Sequence, residues 1–118
     1  IPIDPLAPFI YDGCTNIYFP IHTSVQFAHQ VGLPGIIHQG TSTLAMAVHN
    51  VLNREAGGDP LRMGTIYCRF SGMVLPGSAI RVCLTGRDKV SGGMDFFFIV
   101  LNAEEKRAIS DGYIRLQD

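Results

Sequence analysis

Apolar positions change their spacing at Gly57-Gly58: helical or all-round clustering before that pair gives way to alternation after it. The longest helical stretch this predicts is Gly40 to Ala56, with Thr41 or Ser42 as the cap and Gly57-Gly58 as the stop. At about 1.5 Å per residue it would be roughly 24 Å long. Leu44 to Val48 is apolar on every side, the pattern of a helix buried all round. Its last turns, His49-Asn50 and Asn53-Arg54-Glu55, turn polar and should emerge. A lone helix of that kind has to be wrapped by a sheet or covered by a partner.

Ahead of it, Thr23 reads as an N-cap with Gln26 completing a capping box. Val25, Phe27, Ala28 and Val31 supply the apolar contacts of that short helix, Gly32 ends it and Pro34 prevents its resumption. Ile1 to Pro8 holds three prolines and reads as an extended lead-in or edge strand. A short helix is expected over Leu6 to Cys14, interrupted by Pro8 and ended by Gly13. Ile17-Tyr18-Phe19 should be extended before Pro20.

The second half predicts strands. Thr65 to Ser71 places Ile66, Cys68 and Phe70 on one face, and Ala79 to Arg87 does the same with Ile80, Val82 and Leu84. Pro76-Gly77 and Ser91-Gly92-Gly93 are turns. Asp95 to Leu101 is continuously apolar after its first residue, which suggests cover on both faces. Asn102 to Lys106 is a charged turn, and Ala108 to Leu116 is the last strand, with Ile109, Tyr113 and Ile114 as its contacts. The expected order is helices first, then an antiparallel meander: an α+β domain.

Composition narrows the partners. One domain of 118 residues is long enough for a core without staples. Only 16% of residues are charged and the formal net charge is −1, so apolar surface is expected to meet a partner. No basic run points to nucleic acid, and no apolar run is long enough for a membrane span. The first residue is Ile1, so a fragment, a processed product or one domain of a longer protein is expected. Cys14, Cys68 and Cys83 form no metal-like spacing, and their odd number suits a reducing, cytoplasmic-type compartment. The four histidines likewise lack zinc spacing, so no metal is expected.

Two positions invite chemistry. His22 stands directly before a helix start, where a neutral imidazole can take a proton or orient a water. It can equally do no more than bond the helix entry. Gly40 opens the long helix, where a missing side chain allows close approach and free N–H groups can receive a carbonyl oxygen gaining charge. It can equally just turn the chain. Phe96-Phe97-Phe98 reads better as a core strand than as an acyl pocket.

Taken in order, Pro20-Ile21-His22-Thr23, Ala28, Gly32-Leu33-Pro34-Gly35, Gly40-Thr41 and Arg69-Phe70-Ser71-Gly72 with Leu75-Pro76-Gly77 resemble the MaoC-like family of acyl-thioester hydratases and dehydratases. The likeness runs over roughly residues 11 to 116. It implies the hot-dog fold, an antiparallel sheet wrapped round a long central helix. It implies reversible addition of water across the 2,3 double bond of an enoyl thioester of CoA or acyl carrier protein, with no cofactor. The family motif D-x-N-P-x-H supplies an Asp and a His that share a water, and a glycine N–H holds the thioester carbonyl. His22 matches the motif's His and Gly40 the glycine. The Asp position falls on Ile17 and the Asn position on Phe19, and the residue before the glycine, commonly His, is Gln39.

The resemblance therefore implies His22 and Gly40 as catalytic residues. It implies Ile17, Phe19, Gln39 and Thr41 as the substrate contacts. The assembly it implies is a homodimer or a double hot dog with a second domain. Three readings stay open: a hydratase or dehydratase impaired by loss of the Asp; a degenerate hot-dog module that binds thioester or supports an active partner domain; and a hot-dog thioesterase. The last needs a carboxylate on the central helix, where only Glu55 stands, far from Gly40.

Overall fold

The computed structural model describes all 118 residues. Three helices, α1 (Ala7–Thr15), α2 (Val25–Gln30) and α3 (Gly40–Glu55), precede four strands. These are β1 (Met63–Phe70), β2 (Arg81–Val90), β3 (Gly93–Leu101) and β4 (Arg107–Gln117). They form one antiparallel sheet in the order β1-β4-β3-β2. The fold is the α+β hot dog, with α3 lying along the sheet. Only β2, β3 and β4 form the expected meander. β1 pairs on the far side of β4, because residues 71–80 carry the chain from one sheet edge to the other.

The core is where α3 meets the sheet. Ala47, Val48, Val51 and Leu52 recur at helical spacing on one face of α3 and are buried. They pack in one cluster with Phe96, Phe98 and Val100 of β3 and with Ile109, Ile114 and Leu116 of β4. Ile109 and Ile114 are five residues apart and would face opposite ways in a regular strand. A bulge at Asp111, whose φ is 52°, resets the alternation so that both point inward. On the outer face Arg115 donates to both carboxylate oxygens of Asp95 at 2.7 and 2.8 Å, and this guanidinium holds the carboxyl below its ordinary range.

Several local expectations shift. Pro8 does not interrupt α1: it sits in the first turn, where no N–H is needed, and the helix passes through Gly13 to end at left-handed Asn16. Ser24, one residue after Thr23, caps α2 by accepting from the Phe27 N–H at 3.2 Å, so no Thr23–Gln26 box forms. Its C-terminus closes as expected, with Gly32 at φ 85° and the Leu33 N–H donating to the Ala28 carbonyl at 2.9 Å. Gln39 is the N-cap residue of α3, and Thr41 and Ser42 lie inside the helix.

Two burial expectations are corrected. Within Leu44 to Val48, Ala47 and Val48 are buried, Leu44 and Met46 half-buried and Ala45 exposed. One four-stranded sheet covers one side of a helix, so an all-round apolar sequence does not give all-round burial in a single copy. The outer face of β3 is likewise open: Phe97 is 37% exposed and stacks against Tyr113 with ring centroids 5.6 Å apart. No helix is long and apolar enough to cross a membrane.

Candidate functional site

A cleft of about 400 Å³ opens beside the N-terminus of α3. Its lining includes all six residues singled out from the sequence: Ile17, Phe19, His22, Gln39, Gly40 and Thr41. Three parts of the chain supply them: the stretch after α1, a 3-10 turn at Pro20–His22, and the entry of α3. The segment after β1 forms another wall through Gly72, Met73 and Val74.

His22 closes the 3-10 turn. Its Nδ1 lies 2.8 Å from the Ile37 carbonyl oxygen. A carbonyl only accepts, so Nδ1 carries the proton in the neutral ring and Nε2 keeps a lone pair. That hydrogen bond fixes the tautomer and ties the turn to the connector leading into α3. Phe19 packs edge-on to the imidazole at 6.2 Å and to Phe27 at the same distance. Ile17 and Phe19 stay 65% and 50% exposed, so the mouth of the cleft is apolar and open.

Gly40 is the first residue of α3, and the N–H groups of Gly40, Thr41 and Ser42 have no acceptor within the protein. A Cβ at Gly40 would come within 2.9 Å of the Phe70 ring, which explains the glycine by space alone. Phe70 and Gly72 belong to the Arg69-Phe70-Ser71-Gly72 run. The Val74 carbonyl beyond it accepts the His38 N–H at 2.7 Å. This run therefore braces the helix entry from the opposite wall.

Gln39 is buried, and its amide nitrogen donates to the Pro8 carbonyl at 2.9 Å and to Asp12 Oδ1 at 2.6 Å. Asp12 is 2% exposed, and its other carboxylate oxygen has no partner. Losing one partner of such a buried bond costs about 1–3 kcal/mol. The pair thus locks α1 to the start of α3 and sets where the Gly40 N–H points. Thr41 is held by its own hydrogen bond, Oγ1 to the Tyr11 hydroxyl at 2.8 Å.

Three residues of this site were not among those expected. Tyr11 lines the cleft, and Asp12 supports Gln39 from behind. His38, only 3% exposed, also lines it. Asp12 is four residues from Pro8 and buried on the same face of α1, and no sequence signal marks that burial. Nothing local signals Tyr11. Phe96 and Phe98 lie in the core, outside the cleft, and Glu55 is at the far end of α3, 3.5 Å from Arg87.

The sequence model of the MaoC like domain family matches residues 3–106. The chain is 33% identical over 114 residues to peroxisomal multifunctional enzyme type 2 of Drosophila melanogaster, covering 97% of this chain and 18% of that one. The structure of that enzyme superposes with a TM-score of 0.87 at 28% identity, over 99% of this chain and 21% of the other. Peroxisomal enoyl-CoA hydratase 2 of Arabidopsis thaliana is 35% identical over 63 residues, 53% of this chain and 20% of its own. The fatty acid synthase beta subunit pigK of Monascus ruber is 33% identical over 92 residues, 78% of this chain and 5% of that subunit. The chain thus spans a fifth or less of the length of these curated relatives.

Proposed function

The chain belongs to the MaoC-like domain family, and from that premise we propose that it adds water to 2-enoyl thioesters, or removes it from 3-hydroxyacyl thioesters. The observation that carries this reading is a single cleft lined by His22, with Nε2 unprotonated, and by Gly40, with a free N–H. The thioester carbonyl accepts from the Gly40 N–H at the positive end of α3, where charge on that oxygen is stabilised as it develops. Water gives a proton to His22 Nε2 as its oxygen bonds to C3. The displaced π electrons form an enolate, and the same nitrogen returns the proton to C2. Ile17, Phe19, Gln39 and Thr41 contact the acyl thioester. The name of the Arabidopsis relative, enoyl-CoA hydratase 2, points to the same chemistry, and the carrier is CoA or acyl carrier protein.

Ile17 stands where the family motif has its Asp, and this favours a second reading, a module that binds thioester while a partner domain does the chemistry. Both readings meet one experiment. Calorimetric binding of a crotonyl-type CoA ester and its hydration rate are measured on wild type and on Ile17→Asp. We expect wild type to bind and to hydrate slowly, and Ile17→Asp to speed hydration by about 10². Binding without turnover in wild type, with turnover appearing in Ile17→Asp, would establish the binding module instead.

The assembly we propose is a pair of hot dogs, either two copies or this chain with a second domain. Ile17, Tyr18 and Phe19 at the cleft mouth are each at least half exposed, as are Tyr67 and Phe70 on the edge strand β1. Unpaired strand edges and apolar patches of this kind are ordinarily covered. Sedimentation at micromolar concentration should show a dimer, and a lone monomer would leave only pairing with a different domain. The three free thiols support a reducing, cytoplasmic-type compartment.

A further inference from the structure

His38 is buried to 3% exposure, yet neither of its ring nitrogens has a hydrogen-bond partner. A buried polar atom left unpaired is destabilising, and this ring leaves two. Its backbone is held by the Val74 carbonyl at 2.7 Å, and its side chain lines the cleft that holds His22 and Gly40. Both nitrogens are closed off from bulk water as well as unpartnered, so a partner for them has to come from the cleft that the residue lines. Resting on the hydratase reading above, we infer that His38 is a second catalytic histidine, accepting a hydrogen bond from the water that His22 deprotonates.

The hydration step needs such a group. The attacking water has two hydrogens: one goes to His22 Nε2 and the other remains in the product hydroxyl. An acceptor for the second hydrogen turns the oxygen lone pair toward C3. Ile17 has no polar atom to do this. Asp12 is outside the lining of the cleft and is engaged by Gln39, and Asn16 accepts from the Tyr18 hydroxyl at 3.3 Å. The side-chain Oε1 of Gln39 is also unpartnered, but it belongs to the amide fastened to Asp12 at the entry of α3, beside Gly40.

His38 has to stay neutral to keep its accepting lone pair. Burial lowers its pKa below the ordinary histidine value, and the neighbouring His22 lowers it further. When His22 takes the proton from water, its charge makes a second imidazolium less favourable still. The two histidines therefore divide the work: His22 carries the proton out and back, and His38 holds the water.

The test compares 2-enoyl-CoA hydration by wild type, His38→Phe, His38→Asn and His22→Ala. His38→Phe keeps the bulk of the ring and removes both nitrogens. We expect its kcat to fall about 10²-fold with KM changed by less than about twofold. Its melting temperature should hold or rise, because an apolar ring replaces an unpaired polar one; a merely structural histidine would give the opposite. His38→Asn restores an acceptor and should recover part of the lost kcat. If His38→Phe retains wild-type kcat while His22→Ala loses it, this inference is wrong and the hydratase reading stands. If wild type does not hydrate at all, the hydratase reading fails and this inference with it. Should His38→Phe not fold, the ring 15N resonances of His38 in wild type decide the matter. They should shift on saturation with 3-hydroxyacyl-CoA, and unmoved resonances overturn the assignment.

Discussion

Replacing His22 by alanine is expected to lower the hydration kcat about 10³-fold, within the range that a positioned acid–base group supplies. Its Nδ1 is committed to the Ile37 carbonyl at 2.8 Å, which leaves Nε2 with the lone pair that takes the proton. Substrate binding should change little, because the proposed reading puts the carbonyl at Gly40 and the acyl chain against Ile17 and Phe19. The loss therefore belongs in kcat, with KM nearly unchanged. The side chain is half-buried and makes one hydrogen bond to the protein, so the variant should fold, with a stability loss of about 1 kcal/mol. Steady-state kinetics and thermal melts on the same preparations measure both. A variant that hydrates as fast as wild type would remove His22 from the chemistry and assign the proton transfer to another group.

Phe98→Ala should cost about 3–5 kcal/mol of folding stability, the ordinary range for truncating a buried aromatic. Phe98 is 1% exposed and sits on β3 between β2 and β4, facing α3, so no neighbour can easily fill the void. A domain of this size holds about 5–15 kcal/mol in all, so the variant should be near its unfolding limit at ordinary temperature. Phe97→Ala is the control. Its side chain lies one residue away on the outer face and is 37% exposed, so its cost should be much smaller. Urea unfolding midpoints at constant m-value give the comparison. A larger loss for Phe97 than for Phe98 would mean that the outer face of the sheet is covered by another subunit and the inward assignment of Phe98 is wrong.

The sheet and the central helix were legible because local physics places them. Alternation over Ala79 to Arg87 and the dense apolar run of Asp95 to Leu101 specify strands, which form as Arg81–Val90 and Gly93–Leu101, and Gly57-Gly58 stops a helix wherever it lies. The cleft residues were found through two helix entries, His22 before one and Gly40 at the other. The family motif was needed to connect them, since eighteen positions of sequence say nothing of distance. The helix caps moved by a residue or more because several Ser and Thr candidates stand together. Tertiary contacts choose among them: Gln39, anchored to Asp12 and Pro8, takes the place expected for Thr41 or Ser42.

By itself, then, the sequence determined the elements and their α+β order, since periodicity and capping are properties of neighbouring residues; the hot-dog class and the candidate site residues came through the resemblance to the family's motifs. Tertiary structure alone decided that β1 pairs beyond β4, because strand order depends on where a connection crosses, and that depends on the whole sheet. It decided that only one face of α3 is buried, since cover comes from elements far along the chain. It also brought Asp12 to Gln39 across 27 positions and put His38 in the cleft with His22, neither ring nitrogen of His38 bonded. Burial and the absence of a partner are facts about three-dimensional surroundings, and a histidine reads the same in sequence whether water or protein encloses it.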